Sequence, residues 1–170
     1  GSDEAGSITF ADGVTLENIN ARAGRSLTLF ASEDIIVSET ISSNNGALNI
    51  RLKAMGDVSI TNNADIITKG GSVSVSGANA DGDPDTEMDT ADTAGSFLLD
   101  TGSDIDTTGG SGLAGGNVSI KTSERSTSLT APGTDGDIDI KGNIITSGGT
   151  ATAAGLDAGT VTLNAGLDSA

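Results

Sequence analysis

The sequence predicts an all-β fold, a parallel β-helix in which three short strands make each rung. Three observations carry this. A small-polar/apolar alternation recurs along the chain, two further apolar steps recur with it, and Gly, Asn or Asp usually separates the steps. Alternation with a period of two marks a strand with one buried face, and no segment shows the 3.6-residue period of an amphipathic helix.

The first strand type begins Ser7-Ile8-Thr9-Phe10 and returns as Ser26-Leu27-Thr28-Leu29, Ala47-Leu48-Asn49-Ile50, Ser72-Val73-Ser74-Val75, Asn117-Val118-Ser119-Ile120 and Thr160-Val161-Thr162-Leu163. The starts fall 19, 21, 25, 45 and 43 residues apart. The short spacings define the period; each long one holds an extra coil, a long insertion, or some of both. The second type is Val14-Thr15-Leu16, Ile35-Ile36-Val37, Val58-Ser59-Ile60, Phe97-Leu98-Leu99 and Ile138-Asp139-Ile140. The third is a short Ile step at Ile19, Ile41, Ile66-Ile67, Ile105 and Ile144-Ile145. Gly13, Gly24, Asn44-Asn45-Gly46, Gly56-Asp57, Gly70-Gly71, Gly136-Asp137 and Gly148-Gly149 supply turns.

Repeats of this kind stack parallel, like residue on like, because one rung cannot bury its own apolar face. Ile8, Leu27, Leu48, Val73, Val118 and Val161 are expected to form one inward column. About six rungs at ~4.8 Å make a rod on the order of 30 Å long. One domain over 7–166 is expected, with insertions at 78–95, 123–135 and 149–159 and tails at 1–6 and 167–170. Gly1-Ser2 reads as a cloning scar, and the whole as a piece of a longer protein whose end rungs are naked.

Composition narrows the chemistry. The 170 residues carry 8 Lys+Arg against 24 Asp+Glu, a net charge of −16. That field argues against nucleic acid and anionic membranes as partners. There is no Cys and no His, which removes disulfides, thiolate chemistry and imidazole ligands or bases. Ile, Leu, Val and Phe number 15, 12, 7 and 3. That share lies just above the disorder boundary of about 20%, and the alternating placement favours order. No apolar run approaches the ~20 residues of a spanning helix.

Three segments carry a family resemblance. They are Gly115-Gly116-Asn117-Val118-Ser119-Ile120-Lys121-Thr122, the stretch 136–149 from Gly136-Asp137-Ile138 to Thr146-Ser147-Gly148-Gly149, and Gly159-Thr160-Val161-Thr162-Leu163-Asn164-Ala165-Gly166. They resemble the repeats of filamentous-haemagglutinin-like bacterial exoproteins, often secreted by a two-partner route. The resemblance covers most of 7–166 and weakens in 78–95 and 123–135. It implies a right-handed β-helix, an extracellular or cell-surface location, and service as an adhesin shaft. It names no receptor.

Residues 78–95 hold six carboxylates and almost no apolar side chain. Asp81, Asp83, Asp85, Asp89 and Asp92 fall at positions 1, 3, 5, 9 and 12 of an EF-hand-type loop, with Glu87 between. Together these residues are the candidate Ca2+ ligands. Thr86 replaces the usual Gly, Asp92 is shorter than the usual Glu, and no helix flanks the loop, so a plain solvated acidic loop is the weightier reading.

Catalysis is not expected. Polysaccharide-cleaving β-helices need carboxylates clustered with each other or with a cation, and the cations here are scattered along the sequence. Arg51 and Lys53 flank Leu52 and are expected to point outward as a solvated strand face. Outward Ser and Thr pairs of the first strand type would stack into a flat polar wall, the basis of a minor ice-binding or polysaccharide-binding alternative. The favoured expectation is a non-enzymatic structural and adhesive segment of a large bacterial adhesin. Its partners would be neighbouring repeats and a host or cell-surface glycan or protein met through the loops.

Overall fold

The computed structural model describes residues 7–10, 16–19, 24–54, 56–76, 95–122, 136–151 and 155–165. Fifteen strands fall into five rungs of three. The first rung is β1 (Ile8–Phe10), β2 (Leu16–Ile19) and β3 (Arg25–Ala31). The second is β4 (Ile35–Val37), β5 (Ile41–Ser43) and β6 (Leu48–Ala54). The third is β7 (Val58–Ile60), β8 (Ile66–Ile67) and β9 (Val73–Ser76). The fourth is β10 (Phe97–Leu99), β11 (Asp104–Asp106) and β12 (Val118–Lys121), and the fifth β13 (Ile138–Ile140), β14 (Asn143–Ile145) and β15 (Val161–Asn164).

Every third strand pairs in parallel. Sheet A runs β1-β4-β7-β10-β13, sheet B β2-β5-β8-β11-β14, and sheet C β3-β6-β9-β12-β15. This is the all-β parallel solenoid that the three strand types predict. The described rungs number five, not six. With strands ~4.8 Å apart, the first and last lie roughly 20 Å apart.

The miscount has a definite source. Ile8 belongs to sheet A, where Ile8, Ile35, Val58, Phe97 and Ile138 share one column. It does not head the sheet C column, which is Leu27, Ile50, Val73, Val118 and Val161. Leu48 sits two residues earlier, opposite Arg25. Leu16, expected with the second type, pairs with Ile41 in sheet B, and Val14 lies outside the described residues. Among the described residues the long spacings hold no extra coil in the stack: β12 pairs directly with β9 and with β15.

Inward columns fill the core. Ile41, Ile66 and Ile105 in sheet B, Ile35, Val58, Phe97 and Leu99 in sheet A, and Ile50, Leu52, Val118 and Ile120 in sheet C are all buried. Branched side chains suit this stacking because their fixed χ1 packs against the like residue above and below. Burying each such side chain contributes about 1.5–3 kcal/mol. At the C-terminal end the same columns open. Val161 and Leu163 are each 45% exposed, against 1% for Val118 and 0% for Ile120 one rung below. In the first rung Ile8, Leu16 and Leu27 are only partly buried.

Candidate functional site

Each rung has three corners, and a ladder of short polar side chains runs along each. The residue just before an inward strand position accepts, through its side-chain oxygen, a backbone N–H from the next rung. Between sheets C and A, Ser7 Oγ accepts from Asp34 N–H at 3.3 Å, Asp34 Oδ1 from Asp57 at 2.8 Å, Asp57 Oδ1 from Ser96 at 2.8 Å, and Ser96 Oγ from Gly136 at 3.2 Å. Between A and B, Thr40 Oγ1 accepts from Asp65, Asp65 Oδ1 from Asp104, and Asp104 Oδ1 from Asn143, at 3.1, 3.0 and 2.8 Å. Between B and C, Asn49 Oδ1 accepts from Ser72, Ser72 Oγ from Asn117, and Asn117 Oδ1 from Thr160, at 2.9, 3.2 and 2.9 Å. The ladders have one direction, from each rung to its successor. Sequence reasoning placed Asp57 in a turn and Ser7, Asn49, Ser72 and Asn117 on the outward face of the first strand type, and missed the ladders; their signal is Ser, Thr, Asn or Asp immediately before each apolar step.

Inside the B–C corner a second device closes the loop bases. Thr68, Thr107 and Thr146 donate their hydroxyls to the carbonyls of Gly71, Gly116 and Gly159, at 2.6, 2.7 and 3.0 Å. The same glycines return their N–H groups to the threonine carbonyls at 3.2, 2.9 and 2.7 Å. The pinched loops span residues 69–70, 108–115 and 147–158, so the rung closes whatever the loop length. Much of the expected insertion 149–159 lies in the last of these and is bonded along 108–115, with Gly149 N–H to Leu113 C=O and Gly115 N–H to Asp157 C=O, both 2.9 Å. At the C–A corner the buried Thr122 hydroxyl donates to Gly136 C=O at 2.5 Å, across the base of insertion 123–135.

Charge is sorted by face. The strands of sheet C contain no Asp or Glu and carry Arg25, Arg51, Lys53 and Lys121, half of the chain's 8 Lys+Arg. The strands of sheets A and B contain no Lys or Arg and carry Glu17, Asp104, Asp106 and Asp139. The polar wall expected on sheet C is therefore interrupted: its outward column reads Thr28, Arg51, Ser74, Ser119, Thr162. Arg51 and Lys53 do face outward, beside buried Leu52.

The outer face of sheet A forms a groove of ≈ 440 Å³. Its floor includes Ile36, Ser59 and Leu98, its acidic edge Asp34, Asp57 and Asp137, and its far end Asp139 and Lys141. Lys141 Nζ lies 3.0 Å from Asp139 Oδ2. That hydrogen bond and the Asp139 charge raise the ammonium pKa above the ordinary lysine value. Both side chains are about half exposed, at 47% and 54%, so the pair adds little stability.

The candidate calcium ligands Asp81, Asp83, Asp85, Glu87, Asp89 and Asp92 lie outside the described residues. Among the described residues no group of three or more carboxylates is placed to hold a metal ion. No family model, no curated protein and no solved structure matches the chain.

Proposed function

We propose that this chain is a structural and adhesive segment of a large secreted or surface-exposed bacterial adhesin, non-enzymatic, with its loops as the contact elements. The observation that supports this reading most is the way insertions are mounted. The chain between Ser76 and Gly95 and the chain between Thr122 and Gly136 both join sheet C to sheet A, in successive rungs, so both leave from one corner. Insertions carried on one side of a solenoid suit binding, since the rungs hold them at fixed spacing while their sequences vary. The partner is a cell-surface glycan or protein.

Deletion of 78–95 tests this. The deletion variant should keep the β-sheet circular-dichroism spectrum of the parent and lose adhesion to cells or immobilised glycans. Adhesion at the parent level would remove the adhesive role of that loop and leave only the shaft.

A further inference from the structure

The outward column of sheet A reads Thr9, Ile36, Ser59, Leu98, Asp139. Its two apolar members stand two rungs apart, ~9.6 Å at the strand spacing. Both lie in the floor of the ≈ 440 Å³ groove and both are only partly buried. Asp34, Asp57 and Asp137 stand along one side of that floor, at the ladder positions of the second, third and fifth rungs. The ladder uses one carboxylate oxygen of Asp34 and one of Asp57. Among the described residues the second oxygen of each accepts no hydrogen bond. The groove already holds one cation of the chain itself: the Lys141 ammonium lies at its far end, 3.0 Å from Asp139 Oδ2.

We propose that this groove binds an extended basic peptide segment of a partner protein, with apolar side chains resting on Ile36 and Leu98 and Lys or Arg side chains reaching Asp34, Asp57 and Asp137. Charge complementarity selects the sign of the partner, since the strands of sheet A contain no Lys or Arg. Long cationic side chains suit the site because their stems cover apolar surface while their charged heads reach a polar edge. The layout selects a peptide. The carboxylates stand beside the floor, so a ligand must set apolar groups down and cations sideways, which separate side chains do. A linear polyamine carries its cations on the same chain as its methylene groups and would place them over the apolar floor. The groove lies on a sheet face and not in the insertions, so the inference is independent of the adhesive role of the loops.

Fluorescence anisotropy with a labelled Lys-Val-Lys-Val-Lys-Val peptide, at low salt where screening is weak, reads the outcome. The parent should bind it several-fold more tightly than Lys-Ser-Lys-Ser-Lys-Ser, which has the same charge and no apolar side chain. Asp34→Asn with Asp57→Asn keeps a side-chain oxygen for the ladder and removes two charges; it should weaken binding about three- to tenfold. Asp65→Asn with Asp104→Asn removes the same charge from the same kind of ladder at the A–B corner and should leave affinity nearly unchanged. Leu98→Asn, outward and folded by circular dichroism, should remove most of the preference for the Val peptide. Equal affinity of the parent for the two peptides, or equal losses from the two Asn pairs, would reduce the effect to net charge and overturn the proposal. So would spermine displacing the peptide as well as unlabelled peptide does at equal charge, which would assign the groove to a polyamine. Peptide affinity that falls as protein concentration rises would assign it to a second copy and overturn the proposal equally.

Discussion

Ser103 is fully buried and its hydroxyl has no hydrogen-bond partner among the described residues. It occupies the turn between β10 and β11, donating its N–H to Asp100 C=O at 3.1 Å. The same turn one rung earlier runs from Thr61 to Ala64, with the same bond at 3.1 Å and Ala64 buried at 2%. The backbone therefore does not need the hydroxyl, and an unmet buried donor costs about 1–3 kcal/mol. Ser103→Ala should raise stability by about 1 kcal/mol, a melting-point gain of roughly 2–4 °C for a chain this size. A thermal melt showing a lower midpoint would mean that the hydroxyl has a partner. The buried threonines Thr68, Thr107 and Thr122 are the opposite case, each donating to a glycine carbonyl. Polar residues at this depth were not legible in the sequence, because Ser and Thr in a turn-rich repeat look like surface residues until the stacking is known.

At the scale of elements, strand identity was more legible than register. The Ile step that marks sheet B and the Ile35, Val58, Phe97 and Ile138 steps of sheet A were readable because apolar branched residues sit between turn formers. Ile8 was misplaced because Ser-Ile-Thr-Phe has the same alternation as Ser-Leu-Thr-Leu, and alternation does not encode which sheet a strand joins. β6 slipped by two because Leu48, Ile50 and Leu52 all point inward, so its pattern fits either even register. What discriminates is packing at the corner. A Cβ on Gly71 would lie 2.0 Å from Leu48 C=O, one on Gly116 1.9 Å from Gly71 C=O, and one on Gly159 1.9 Å from Gly116 C=O. These glycines form a column with no room for a side chain, and it fixes the start of sheet C in the third, fourth and fifth rungs. Gly116→Ala should cost about 3 kcal/mol, since the Gly70–Gly71 backbone against its Cβ must move. Gly155→Ala, with nothing within 4 Å of its Cβ, should be neutral or stabilise by a few tenths of a kcal/mol up to about 1 kcal/mol through the unfolded chain. Urea titration of both variants compares them; equal midpoints would contradict the column. The acidic segment was legible only as composition, since its spacing alone names candidate calcium ligands without placing them on the rod.

For the whole molecule, charge and stacking oppose each other. The corner ladders repeat a carboxylate from rung to rung: Asp34 and Asp57 lie in successive rungs, and so do Asp65 and Asp104. Each carboxylate gains an N–H partner, yet it sits about one strand spacing, ~4.8 Å, from its neighbour. With a net charge of −16, self-repulsion should be the main electrostatic cost of the compact state. The Debye length falls from about 30 Å at 0.01 M salt to about 3 Å at 1 M, so added salt first screens carboxylates on different faces and then those on adjacent rungs. Stability should therefore rise steadily with NaCl, with no early plateau. The melting temperature is expected to climb from low to high NaCl, and a flat or falling midpoint would show that the ladders hold their carboxylates without net repulsion.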